Sequence, residues 1–266
     1  MTHSTPETLA AETLTHLGPC AARFALEVIA RCASTNDEIT RRPKPDGHRI
    51  AVLVALDQHA GRGRHGRSWL TNPGAGLTFS CAWPLAPDTP PPAALSLATG
   101  LAVAEAITAL GIGDVQLKWP NDILISGRKL GGILIELVSA HRRTRQAVIG
   151  IGINLLDAPK LSEGSIPATA LAEHVIDVPS HGRLLAHILV QLASRLDTFA
   201  AAGFPALRDA WQHFDACRGQ NIEIIDGTRR LTGTGDGVDP DGALRLLTSE
   251  GLVRIFAGEV SLRFHP

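Results

Sequence analysis

Residues 58–70 read Gln-His-Ala-Gly-Arg-Gly-Arg-His-Gly-Arg-Ser-Trp-Leu. Gly61, Gly63 and Gly66 alternate with Arg62, Arg64 and Arg67, directly after an apolar run at 50–56. Glycine lets the backbone turn and approach a ligand closely. Arginine offers a planar fork of donors suited to carboxylate and phosphate. A loop of this composition, hung from a buried strand, suits a small anionic ligand. The plain alternatives are a solvated basic loop or an RNA contact. A single copy of the motif in a chain without tyrosine argues against RNA.

Three further runs carry chemistry. Lys118-Trp119-Pro120-Asn121-Asp122 brings an ammonium, an amide and a carboxylate within five residues. Such a set can neutralise phosphate and hold Mg²⁺ or a ribose, although Pro-Asn-Asp is also good turn chemistry. In Arg128-Lys129-Leu130-Gly131-Gly132 a lysine opens an apolar strand, and the two glycines leave room for a ligand. An edge-strand lysine that blocks aggregation has the same look. Gly150-Ile151-Gly152-Ile153-Asn154 places two glycines inside a strand, which implies ligand approach, a bulge or tight packing. No GxxxxGK[ST] occurs and no helix signal follows the GxG, so neither a P-loop nor a dinucleotide fingerprint is present.

The elements that must position these residues follow from periodicity. Residues 1–19 read as loosely structured. Residues 20–31 have helical spacing, with Phe24, Val28 and Ile29 on one stripe. Ser34 opens a short helix, three residues before Asp37 in a capping-box spacing. Strands are expected at 50–57, 76–83, 114–119, 123–125, 132–138 and 148–155, with a hairpin through Ser126-Gly127-Arg128. Residues 84–92 hold five prolines and read as an exposed connection, and 156–167 as a mobile loop. Helices are expected at 93–110, 180–200 and 205–215; the second carries Leu184, Leu185, Ile188, Leu192, Leu196 and Phe199 on one face. Beyond 218 come short strands at 221–226, 230–235, 242–247 and 252–256, separated by Gly turns, the pattern of a small all-β barrel. Two domains are therefore expected, 1–217 and 218–266.

The 266 residues are 44% hydrophobic and 19% charged, enough for a substantial core, and the net charge is −1. That balance lacks the basic field of a general nucleic-acid binder. The four cysteines, Cys20, Cys32, Cys81 and Cys217, are far apart and form no CxxC. They read as reduced thiols of a cytoplasmic protein, and no structural metal is expected. The N-terminus lacks the pattern of a secretory signal, and the apolar stretch 93–110 reads as a core helix, so no membrane attachment is expected.

Taken in order, Ser34-Thr35-Asn36, the glycine-arginine loop, Lys118 to Asp122, Arg128 to Leu134, Gly150 to Asn154 and the final Gly258-Glu259-Val260-Ser261-Leu262-Arg263 resemble a bacterial biotin protein ligase, over roughly residues 25–266. The resemblance implies an α+β fold: a mixed, largely antiparallel sheet with flanking helices, then a small C-terminal SH3-like barrel. It implies activation of biotin by ATP and Mg²⁺ to biotinyl-5′-adenylate, then transfer to a lysine of the biotin carboxyl carrier domain of a carboxylase such as acetyl-CoA carboxylase. Ser34, Thr35, Asn36 and Gln58 would bind biotin, with Arg62, Gly63 and Arg64 folding over it. Lys129 would meet the biotin carboxylate and the α-phosphate, and Arg64 and Lys129 would carry the catalysis. Lys118, Asn121, Asp122, Asn154 and Arg263 would line the nucleotide, with Mg²⁺ near Asp122 and Asn154. Trp69 and Trp83 would pack on the biotin ring or serve as core. About 25–30 residues precede the matched part, too few for the winged helix-turn-helix of repressor-type relatives. A ligase that binds no DNA, monomeric or a weak homodimer, is therefore expected. A lipoate or octanoyl transferase is the rival on the same fold, disfavoured by the arginine loop and the intact Lys-Trp-Pro-Asn-Asp run. An RNA-binding module is the rival of another class.

Overall fold

The computed structural model describes residues 5–85, 92–139, 145–160, 166–226, 229–256 and 261–264. The chain opens on helix α1 (Pro6–Leu17), where residues 1–19 read as loose. Its start is built from reciprocal hydrogen bonds between Thr5 and Thr8, with Pro6 in the first turn. Its buried Leu9, Thr13 and Leu17 give it a face to pack. The stretch 20–31 is not a helix: a 3₁₀ turn runs to Arg23, and strand β1 (Phe24–Cys32) follows. Phe24 and Val28 satisfy period two as well as helical spacing. Together with Leu26 they face the core, while Ile29 faces the other way. The parallel ladder to β2 (Ile50–Gln58) decides between the two periods.

Between β1 and β2 lies helix α2 (Thr35–Arg41), opening at Ser34. The capping box is absent, and Asp37 accepts from Arg62 instead. The glycine-arginine loop folds as a small hairpin, β3 (Gly61–Arg62) with β4 (Ser68–Trp69). His65 and Gly66 at its tip have φ of 58° and 73°, which reverses the chain. The main sheet continues with β5 (Gly76–Leu85), β6 (Val115–Lys118), β7 (Asp122–Ile125), β8 (Arg128–Ser139) and β9 (Arg145–Asn154). Its seven strands take the order β1-β2-β5-β9-β8-β7-β6, antiparallel except for the β1–β2 pair.

The two faces of this sheet differ in kind. Leu77, Phe79, Cys81 and Trp83 of β5 and Ile149, Ile151 and Ile153 of β9 alternate onto the core face. There they join α3 (Pro92–Ala109), apolar on all sides, and α4 (His181–Ala202). All six α4 residues named from periodicity are buried. The opposite face is lined by Thr78, Ser80, Gly132, Leu134, Gly150 and Gly152, which pair in register. Small residues there leave a concave floor.

The expected helix at 205–215 is a 3₁₀ turn, Phe204–Ala206, followed by the short α5 (Arg208–Gln212). A second, five-stranded antiparallel sheet comprises β10 (Asn221–Asp226), β11 (Arg229–Val238), β12 (Leu244–Thr248), β13 (Gly251–Ile255) and β14 (Ser261–Phe264), in the order β13-β12-β11-β10-β14. β14, not anticipated as a strand, pairs with β10. The β11–β12 connection is seated on the β6–β7 turn: Trp119 Nε1 donates to the Gly242 carbonyl at 2.9 Å. Most of the proline-rich connection, residues 86–91, and residues 161–165 of the expected loop lie outside the described residues. Pro167, at the end of that loop, accepts the Lys129 N–H at 2.7 Å. Among the described residues no helix is long and apolar enough to cross a membrane.

Candidate active site

The small-residue face of the sheet, α2, the β3–β4 hairpin and the β6–β7 turn enclose a cavity of about 880 Å³, a size typical of small-molecule sites. Twelve of the thirteen anticipated residues line it: Ser34, Thr35, Asn36, Gln58, Arg62, Gly63, Arg64, Lys118, Asn121, Asp122, Lys129 and Asn154. The thirteenth is Arg263, whose backbone pairs with Glu223 in the C-terminal sheet and whose side chain lies outside the described residues.

One end of the cavity is a buried polar cluster. Gln58 Oε1 accepts from the Thr35 backbone at 2.8 Å and the Thr35 hydroxyl at 3.1 Å. Ser80 Oγ donates to Asn36 Oδ1 at 2.6 Å and lies 2.8 Å from Thr35 Oγ1. Asn36 Nδ2 donates to Glu136 Oε2 at 2.7 Å. Donors and acceptors are thus fixed in place before any ligand arrives. Ser80 and Glu136 were not singled out from the sequence. Their only signal is the period-two row they share with Thr78, Gly132 and Leu134.

The other end is cationic. Asp122 Oδ1 accepts from Lys129 Nζ at 2.6 Å, and its Oδ2 from Lys118 Nζ at 3.2 Å. Burial pushes the Asp122 carboxyl up, but the two ammonium groups outweigh it and hold the carboxyl below its ordinary value. Arg64 Nη1 reaches Asn121 Oδ1 at 3.3 Å, and burial lowers the guanidinium from its ordinary value. Asn121 Nδ2 is tied to the Ile133 carbonyl at 3.0 Å. Asn154 is buried, with Nδ2 on the Thr169 carbonyl at 3.1 Å and Oδ1 lacking a protein partner.

For two tryptophans and four glycines the structure decides between the alternatives that the sequence leaves open. Trp83 is in the core on the far face of the sheet. Trp69 lines the cavity, its ring lying on Gly152 and within 6.0 Å of Lys129 Nζ. A Cβ at Gly152 would overlap the Trp69 indole, and one at Gly150 would overlap the Asn36 amide. A Cβ at Gly131 would lie 2.6 Å from the Gly152 carbonyl oxygen. Only Gly132, where a Cβ would lie 3.8 Å from Lys129 Nζ and 3.4 Å from Trp69, is bordered by the site's own cation. At Gly131, Gly150 and Gly152 the room is thus taken by side chains and backbone of the protein itself. The cysteines take no part: burial raises the Cys32 thiol to about 11 and the Cys217 thiol to about 12.

The sequence profile of the Biotin/lipoate A/B protein ligase family matches residues 28–154, and that of the Biotin protein ligase C terminal domain matches residues 219–263. The first is named for lipoate and biotin enzymes alike, the second for biotin protein ligases alone. The biotin–[acetyl-CoA-carboxylase] ligase of Paracoccus denitrificans is 34% identical over 244 residues, 88% of this chain and 98% of the relative. This chain belongs to the biotin protein ligase family. The bifunctional ligase/repressor BirA of Escherichia coli is 34% identical over 217 residues, and the match spans 66% of that relative's length. Among solved structures, the biotin protein ligase of Aquifex aeolicus in complex with biotin and ATP matches with a TM-score of 0.79 at 29% identity. That match covers 90% of this chain and 99% of the other.

Proposed function

We propose that this chain joins the biotin carboxylate to the α-phosphate of ATP, releasing pyrophosphate, and then passes the biotinyl group to a lysine of a carrier domain in a biotin-dependent carboxylase. The observation that carries this reading is the division of one cavity into an end of hydrogen-bonding side chains and a cationic end. A ureido ring both donates and accepts hydrogen bonds, which suits Ser34, Thr35, Asn36 and Gln58. Carboxylate and α-phosphate are both negative and approach only where cations stand between them, which suits Arg64 and Lys129. Arg62 and Gly63, in the hairpin, are assigned to closure over biotin and the new phosphate ester.

Lys118, Asn121, Asp122 and Asn154 are assigned to the nucleotide side, and Arg263 to a contact from the second sheet. Asp122 serves there as a clamp, since both of its oxygens already accept from lysines. Mg²⁺ entering with ATP would be held near Asp122 and Asn154, whose buried Oδ1 has no partner among the described residues. The ion supplies charge neutralisation that eases attack on phosphorus and departure of pyrophosphate. The two-domain division near residue 218 belongs to the same proposal.

A thermal shift series tests the reading against its lipoate rival. Biotin with MgATP should raise the melting temperature and lipoate with MgATP should not. The reverse order would overturn the choice of substrate.

A further inference from the structure

Resting on the biotin reading, we propose that Glu136 is a positioning residue that makes closure of the glycine-arginine loop and recognition of the ureido head a single event. Glu136 stands on β8, two residues beyond Leu134 on the cavity face, opposite Val148. Its Oε2 accepts from two groups at once: Asn36 Nδ2 at 2.7 Å and Arg62 Nη2 at 2.9 Å. Arg62 belongs to β3, the root of the hairpin, and also donates to Asp37 Oδ1 at 2.5 Å. One carboxylate oxygen therefore joins the loop to the cavity floor.

The chemistry of the carboxylate fixes the amide. An ionised carboxylate only accepts, so the NH₂ group of Asn36 must face Glu136. Its Oδ1 then faces Ser80, which donates to it at 2.6 Å. Gly150 leaves the space the amide fills. The second N–H of Asn36 has only the Leu134 carbonyl, at 3.5 Å, and Oδ1 keeps a free lone pair. One donor and one acceptor remain for a ring that needs both. An exposed ion pair contributes little by itself. The Arg62–Glu136 pair matters because it shares its oxygen with a buried amide. Without Glu136 the amide is free to rotate and the hairpin loses an anchor on the sheet.

The test uses the full chain and two variants. Glu136→Ala removes both bonds, while Glu136→Gln keeps an acceptor for Asn36 without the charge that holds Arg62. Biotin affinity is measured by calorimetry, and the release rate of the adenylate by rapid dilution. Glu136→Ala should weaken biotin binding about tenfold and speed release by a similar factor. Glu136→Gln should restore biotin affinity to within about threefold while release stays fast. The KM for ATP should not move in either variant. Equal losses in the two variants, or no loss in either, overturn the proposal and leave the biotin reading standing. A wild-type protein that binds no biotin overturns both.

Discussion

Replacing Gly152 by alanine drives a methyl group into the Trp69 indole. The added Cβ would lie 2.5 Å from Nε1 and 2.6 Å from Cζ2, whereas relaxed contacts between such atoms are ~3.5–4.0 Å. The ring must retreat by about 1 Å to restore them. Its room to do so is limited, because Trp69 is paired with Gly61 in the hairpin and a Cβ at Gly61 would itself lie 2.7 Å from the Trp69 carbonyl oxygen. Overpacking of this kind costs about 1–3 kcal/mol. At roughly 2–4 °C per kcal/mol for a chain of this size, the melting temperature should fall by about 2–12 °C. The displaced ring also leaves Lys129 and tilts the hairpin root, so biotin affinity should fall with stability. Trp69→Ala removes the obstacle, so the double variant should be little worse than Trp69→Ala alone. Thermal unfolding and biotin titration of the four proteins give the coupling, expected at about 1–3 kcal/mol. Additive losses within ~0.5 kcal/mol would refute the placement of Trp69 over Gly152.

Four further variants have outcomes set by the geometry. Asp122→Asn should cut pyrophosphate release by about 10² or more, because Lys129 loses the partner that sets its position; activity within about threefold of wild type would contradict the clamp. The Asp122 carboxyl is held low in the fold, so its stabilisation is present above its unfolded value of ~3.9 and lost as pH falls through the lower folded value. The melting difference between this variant and wild type should therefore vanish in acid. Asp215 has the opposite sign: burial raises it to about 6, so its contribution is favourable below ~4 and lost as pH rises through 6. Asp215→Asn, which keeps an acceptor for the Cys217 N–H, should raise the melting temperature at pH 8 and change nothing at pH 4. Arg64→Gly should still form the adenylate but release it faster than wild type, which single-turnover trapping would measure; equal retention would remove Arg64 from that role. Trp119→Phe orphans the Gly242 carbonyl and should cost about 1–3 kcal/mol in urea unfolding, with no loss if the second sheet were not seated there.

The polar residues of the site were legible where their types are rare inside strands. A lysine opening β8 beside Gly132, or an asparagine closing β9, has no packing reason to be there, and each does line the cavity. Legibility failed where two explanations share one residue type. Gly150 and Gly152 look like space for a ligand, yet that space is taken by Asn36 and Trp69, which lie more than eighty residues away in sequence. Ser80 and Glu136 were passed over because nothing local marks them. Only the ladder register brings them to the row that faces Asn36. In the fold, α4 was readable from its apolar stripe, whereas β1 was not. Phe24 and Val28 fit both periods, and the deciding partner, β2, follows a whole helix later. The start of α1 was missed although Thr5 and Pro6 mark it, since Thr8 stands where a capping box usually has Glu or Gln.

Intact mass spectrometry of a purified carrier domain, after incubation with this protein, biotin and MgATP, tests the central claim most directly. One biotinyl group on the carrier, dependent on ATP and accompanied by one pyrophosphate, is the expected result. A carrier of unchanged mass, with the protein folded and a known ligase modifying the same sample, would contradict it.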